Sequence, residues 1–210
     1  SEAGDGSVLA WMDNGNLYVA ADGAIAPNPD AAWLFQDFVN MKTINFGNCF
    51  DTSDVTRMRG MFNGCSSLTD LDLSGFDTSS VTDMRMMFQN CASLTSLDLP
   101  GFDTSSVTDM RVMFQNCANL TSLDVSSFDT SNVIDMGAMF ANCERLTGLD
   151  LSGFDTSHVT NMAAMFCICE DLTSLDLTGF DTSNVADMSN MFRSCTSLTN
   201  LNLSSFDASA

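Results

Sequence analysis

The amino-acid sequence predicts an α/β repeat solenoid: a right-handed coil with one parallel strand and one short helix per 26-residue repeat, closed at its N-terminal end by a β-hairpin. Two observations predict the repeat. Seven Phe residues, from Phe50 to Phe206, follow one another at intervals of 26 residues, and nearly all other apolar residues keep the same phase. A period of this length indicates small units that are buried only by stacking on one another. We therefore expect a single elongated domain.

Composition narrows the class of protein further. The chain has 210 residues, 45% of them hydrophobic, which is enough to build a core. Its 27 Asp and Glu against 7 Lys and Arg give a formal charge of −20, which repels nucleic acid and anionic lipid headgroups. No apolar run is long enough to span a bilayer, so we expect no direct membrane insertion.

The chain divides into three parts. Residues 1–49 are predicted to form an N-terminal hairpin cap and a degenerate first coil, because Asn14-Gly15 between two apolar runs is a strong hairpin signal. Residues 50–205 contain six full repeats, and residues 206–210 copy the start of a truncated further coil. From this ending we expect the native chain to continue.

Each repeat combines two hydrophobic periods. With its Phe counted as position 1, positions 9, 12, 13 and 16 are apolar, a spacing that predicts one face of a short helix, as in residues 84–91. From position 19 the period becomes two, so that Leu97 and Leu99 would point inward from a strand while Ser96 and Asp98 point outward. A Pro-Gly or Ser-Gly pair then predicts a turn.

This repeat resembles a known family. The run Met113 to Val125, Met-Phe-x-x-Cys-x-x-Leu-Thr-x-Leu-Asp-Val, is similar to the BspA-like leucine-rich repeats of bacterial surface proteins. The Phe-Asp-Thr-Ser-x-Val-Thr-Asp-Met form is similar to the 26-residue variant of gut-bacterial and mycoplasma surface proteins. The resemblance implies a leucine-rich-repeat-like fold and a non-enzymatic, secreted or cell-surface adhesion module, with signal and anchor segments outside this chain. It also implies a host or bacterial surface protein as partner. We expect a monomer.

Stacking turns each repeat position into a column of like residues. Position 23 is an outward acidic column, which is either a solvated face or a binding face for cations or basic proteins. Its members are Asp72, Asp98, Asp124, Asp150 and Asp176. Position 2 is acidic in every coil and is followed by Thr or Ala and then Ser, which favours turn capping and leaves calcium binding as an alternative. Its members are Asp51, Asp77, Asp103, Asp129, Asp155, Asp181 and Asp207.

The cysteines form another column. Six of the eight occupy position 16 on the apolar face, which favours buried free thiols over disulfides. Cys167 stands at an otherwise polar position and is the candidate reactive thiol. We expect no catalytic residue, no metal site of the zinc type and no cofactor, with calcium as the one ion left open.

Three functions remain open at this point. The chain could be an adhesion module, a structural spacer without a ligand, or a calcium-dependent binder that uses the Asp columns. A binding module should carry its site where repeats depart from the consensus or at the cap, where Trp11 and Tyr18 are candidates.

Overall fold

A stack of coils, each resting on the next, makes up the described chain. The structure is a computed structural model and describes residues 8–21, 23–47, 49–99 and 101–207. Its strands are β1 (Val8–Asp13), β2 (Asn16–Ala21), β3 (Thr43–Asn45), β4 (Asp70–Leu71), β5 (Ser96–Leu97), β6 (Ser122–Leu123), β7 (Ser174–Asp176) and β8 (Asn200–Asn202). No helix of the described part is long and apolar enough to cross a membrane.

The predicted hairpin forms the first sheet edge. Strands β1 and β2 pair antiparallel, with Asp13 opposite Asn16. The two residues between them have positive φ angles, 50° at Asn14 and 89° at Gly15, as the tight turn of a two-residue hairpin requires. Strand β2 then pairs parallel with β3, so the hairpin covers the edge that the first coil would otherwise expose.

Parallel strands line one side of the stack in the predicted register. Ser96 of β5 pairs with Ser122 of β6, 26 residues further on, and Ser174 of β7 pairs with Asn200 of β8. The ladder is divided into sheets β1–β4, β5–β6 and β7–β8. In the coil between β6 and β7, residues 148–150 form no strand, and this coil has Gly148 where its neighbours have a side chain.

The prediction of a helix at positions 9–16 is wrong. The described residues contain no helix, and the segment is a series of turns. Met86 and Asn90, at positions 11 and 15, have φ angles of 60° and 63°, which an α-helix does not allow. The same left-handed conformation recurs at both positions in every repeat. The fold is therefore a solenoid of strands and turns, without the helical half that the sequence pattern predicted.

Hydrogen bonds between coils replace those that a helix would make within itself. The backbone N–H groups of Met84, Met86, Phe88 and Asn90 donate to carbonyls of the next coil, at 2.8–3.2 Å. Alternate residues thus pair as in a parallel ladder, while bonds such as Met87 N–H to the Met84 carbonyl close the turns. The turn side of each coil is consequently held by its neighbour.

The core consists of the predicted columns. Phe side chains at position 13 stack along the solenoid, with centroids of successive rings 5.5–5.9 Å apart. Met and Val columns surround them and are fully buried through most of the stack. Each position-16 thiol donates to the carbonyl of the position-13 Phe one coil earlier, at 3.0–3.2 Å. The core is one continuous body from Leu17 to Phe206.

A column of buried threonines at position 3 also links the coils. The Thr156 hydroxyl donates to the carbonyl of Asp181 at 2.9 Å and accepts from the Asp181 N–H at 2.8 Å. Its side chain is 1% exposed. Because one hydroxyl satisfies both backbone groups of the next coil, these threonines do more than terminate a turn.

Candidate functional site

The acidic column at position 23 lies on the exposed strand side. All five carboxylates are exposed, next to the buried Leu residues of the strands. The N–H of Ser74 donates to Asp72 at 2.9 Å, and equivalent bonds reach Asp124, Asp150 and Asp176. The Ser74 N–H lowers the pKa of Asp72, and the Ser152 N–H does the same to the pKa of Asp150. Each of these carboxylates is therefore fixed in position as well as charged.

Asp98 differs from the other members of this column. The residue two positions on is Pro100, which has no N–H to donate. Asn202, by contrast, has no charge but keeps the turn bond: it stands at the same position in the last coil and accepts the Ser204 N–H at 3.1 Å, as the carboxylates do. An amide thus serves the turn as well as a carboxylate, so the turn alone does not require the charge.

No cation neutralises this column from within the described chain. Every ion pair of the described residues involves position-8 carboxylates: Asp30 with Arg57, and Asp83, Asp109 and Asp135 with Arg85 and Arg111. Strands that pair are about 4.8 Å apart, and like charges at about 4 Å repel by roughly 1 kcal/mol in water. The strand side thus carries uncompensated charge.

A cleft of about 370 Å³ opens at the N-terminal end of this strand side. Phe50 and Phe76 contribute its apolar wall, and Asp70 and Asp72 contribute carboxylates. Asp70 occupies position 21, where the other repeats have Ser, Gly or Asn. The strand side of the first repeat therefore carries at least one carboxylate more than the strand side of any other repeat.

The position-2 carboxylates serve turns, as predicted. Asp77 accepts the Ser79 N–H at 3.0 Å and the Ser79 hydroxyl at 2.7 Å, and the same N–H bond recurs in the other full repeats. The Ser79 hydroxyl, and then its N–H, lower the pKa of Asp77. Within the described ranges, no group of three or more His, Cys, Asp or Glu side chains has a geometry that could hold a metal ion.

The cysteines are free thiols throughout the described chain. Burial raises the pKa of Cys65 to about 11 and that of Cys117 to about 12, so both stay protonated near neutral pH. Cys167 is half-buried, at position 14, and its carbonyl accepts the Asn142 N–H at 2.7 Å. It is more accessible than the five buried thiols of the core column, although Cys195 at the end of that column is half-buried as well, and it stays a candidate for reaction.

The aromatic pair of the cap lies on the hairpin. Trp11 and Tyr18 are opposite each other on β1 and β2, and their rings stack with centroids 5.2 Å apart. Trp11 is 48% exposed. The pair is well ordered by stacking and lies at the end of the solenoid, away from the middle of the acidic column.

Comparison with known proteins gives the family. A family model described as "Mycoplasma protein of unknown function, DUF285" matches residues 30–148 and 117–210. The chain belongs to this family. The resemblance to a mycoplasma repeat variant is thereby confirmed. No curated protein matches the chain.

Among the solved structures similar to this DUF285 chain is the crystal structure of a T. pallidum leucine-rich repeat protein, which is 16% identical in sequence, with a TM-score of 0.42. The similarity covers 82% of the present chain and 91% of the other.

The DUF285 chain has a second charged surface that the sequence predictions missed. Arg59, Arg85 and Arg111 stand at position 10 of three successive repeats, and the last two follow the position-8 residues Asp83 and Asp109. Arg85 bridges Asp83 at 2.6 Å and Asp109 of the next coil at 3.4 Å. The spacing of 26 residues between Arg59, Arg85 and Arg111 was the available signal.

Proposed function

We propose that this chain is a non-enzymatic interaction module, secreted or displayed on the bacterial cell surface, that adheres to a host or bacterial surface protein through its strand side. One observation carries the proposal. The strand-side carboxylates form no ion pair among the described residues, whereas Asp30, Asp83, Asp109 and Asp135 of position 8 pair with arginines. A partner with Lys and Arg residues would supply the missing charge.

The regularity of the surface favours adhesion over catalysis. The polar side chains of the strand side repeat from coil to coil, so they offer an extended array rather than one unique constellation of acid, base and nucleophile. Turn bonds hold four of the five carboxylates in place. Such fixed charges lose little freedom when a partner binds. Family membership and the resemblance to surface-protein repeats support the extracellular location.

The test replaces Asp by Asn at position 23, where the last coil already has Asn202. Replacing all five strand-side Asp residues by Asn removes five charges and retains the turn bonds, as Asn202 demonstrates. The residues to replace are Asp72, Asp98, Asp124, Asp150 and Asp176. Five position-2 residues replaced in the same way provide a control with equal net charge. They are Asp77, Asp103, Asp129, Asp155 and Asp181.

The native chain is first screened for binding to basic proteins of host matrix and of bacterial surfaces, with and without calcium. For a protein that binds, the strand-side variant should bind about tenfold more weakly or worse, chiefly through slower association. The control variant should bind nearly as well as the native chain. Equal losses would show that net charge rather than the strand side is recognised, and a chain that binds nothing in the screen would be a spacer.

A further inference from the structure

A second cleft, of about 660 Å³, lies on the turn side near the N-terminal end. Side chains of the degenerate first coil and of the first two full repeats line it. Those that matter are Asp30, Trp33, Arg57, Arg59, Asp83 and Arg85. Three of the seven cationic residues of a chain with a charge of −20 thus surround one cavity.

Two of these arginines have carboxylate partners and one does not. Arg57 pairs with Asp30 at 3.2 Å, and Arg85 pairs with Asp83 at 2.6 Å. Arg59 forms no ion pair with any described residue, and its buried Nε has no hydrogen-bond partner among them. Arg59 is therefore the one cation lining this cleft that no carboxylate of the described residues neutralises.

The surroundings of Arg59 are built by departures from the repeat. Its guanidinium carbon lies 5.1 Å from the centroid of the Trp33 ring. Trp33 stacks in the same column as Gly60, and a Cβ at Gly60 would come within 2.0 Å of that ring. Later coils carry Met, Val, Ala or Asn at this position. The glycine thus makes room for a tryptophan that orients the unpaired arginine.

The geometry points to a binding site in this cleft for a small ligand that carries one carboxylate together with hydroxyl groups. The Arg59 guanidinium has the planar donor arrangement that suits a carboxylate. Asp30 and Asp83 line the cleft beside it, and their carboxylates, which already accept two and three hydrogen bonds within the chain, keep lone pairs that can accept from hydroxyl groups. A phosphate ester or a polyanion fits less well, because the flanking carboxylates and the net charge repel additional negative charge. A monoanionic sugar acid is the ligand class that this chemistry describes.

Trp33 makes the site measurable. The chain has two Trp residues, so the Trp11→Phe variant leaves Trp33 as the single fluorophore. Titration with glucuronate should change its emission in a saturable manner, while glucose should not. Arg59→Gln should weaken glucuronate binding by about tenfold or more, because a charge-assisted pair is lost. Gly60→Ala should weaken it as well, because the added methyl group displaces the Trp33 ring.

The matched control is Arg111→Gln, which changes the same residue type at the same repeat position outside the cleft. Thermal melts of all variants establish that each is folded. Retained binding in Arg111→Gln together with loss in Arg59→Gln supports the site. An equal response to glucose, an equal loss in Arg111→Gln, or no response to glucuronate up to about 10 mM would overturn it.

Discussion

The Thr156→Val substitution tests how the coils are joined. Valine keeps the shape and the branched Cβ of threonine but removes the hydroxyl. The Asp181 N–H and carbonyl of the next coil then both lose their partner, at 2.8 and 2.9 Å respectively. Leaving a buried polar group unpaired costs about 1–3 kcal/mol. Since Asp181 is exposed as a residue, we take the low end of this range for each of its two backbone groups, or about 2 kcal/mol in total.

For a chain of this length that cost corresponds to a fall in Tm of about 4–8 °C. Thermal and urea unfolding followed by circular dichroism would measure it. The control is Thr160→Val in the same coil, whose exposed hydroxyl makes one bond to the Ile134 carbonyl at 3.2 Å. We expect less than about 0.5 kcal/mol there. Equal effects of the two substitutions would refute the reasoning that the buried threonine column joins the coils.

Four further predictions follow from single columns. The pKa of Asp77 is lowered in the folded chain, so its contribution to stability is present above its unfolded pKa and is lost as pH falls through the folded pKa. Urea unfolding below about pH 4 should therefore show the native chain losing stability relative to Asp77→Asn, which keeps an acceptor but does not titrate. Parallel curves of stability against pH for the two proteins would contradict a stabilising role of the Asp77 turn bonds. Ile168 has a φ angle of 61°, so Ile168→Asn, which matches Asn90 and Asn116, should raise stability by about 1 kcal/mol in the same melts. Cys167 should react with a maleimide under native conditions faster than the buried thiols of the core column, and mass spectrometry that found Cys117 modified first would contradict its position. Calcium chelation should leave Tm unchanged, because the position-2 carboxylates already accept hydrogen bonds in turns; a marked fall would restore the calcium-dependent binder.

Much of the architecture could be predicted because residues that are one repeat period apart in the sequence become neighbours in the stack. The 26-residue period placed Phe88 against Phe114, and Asn14-Gly15 marked the hairpin. Asp77 followed by Thr and Ser indicated a turn through local hydrogen bonds. These features depend on residues adjacent in sequence or separated by one period, so a single chain is sufficient to find them.

The helix was mispredicted because the spacing of apolar residues carries no information about the backbone φ angle. Residues 84, 87, 88 and 91 face inward in either a helix or a series of turns, since left-handed residues between them redirect the chain. A signal was present: Asn90, Asn116 and Asn142 stand at position 15, and Asn is among the residues that best tolerate a positive φ. Recurrence of Asn at one fixed position inside an apparent helix is the observation to weigh in related repeats.

The turn-side cleft was missed for a different reason. Trp33 and Gly60 each occur once in their column, and the degenerate first coil hides that they share it. Aligning the first coil with the full repeats would have placed a Gly directly beneath a Trp. Which side chains then remain without an ionic partner depends on rotamers and distances, which a sequence does not contain.

The central claim is that uncompensated charge on the strand side recognises a basic protein. Its most direct test is the ratio of dissociation constants of the strand-side and position-2 Asn variants for the same basic protein, measured at about 50 mM and about 500 mM salt. We predict about tenfold weaker binding by the strand-side variant at low salt, with the difference shrinking at high salt. A ratio near one at both salt concentrations would contradict the claim.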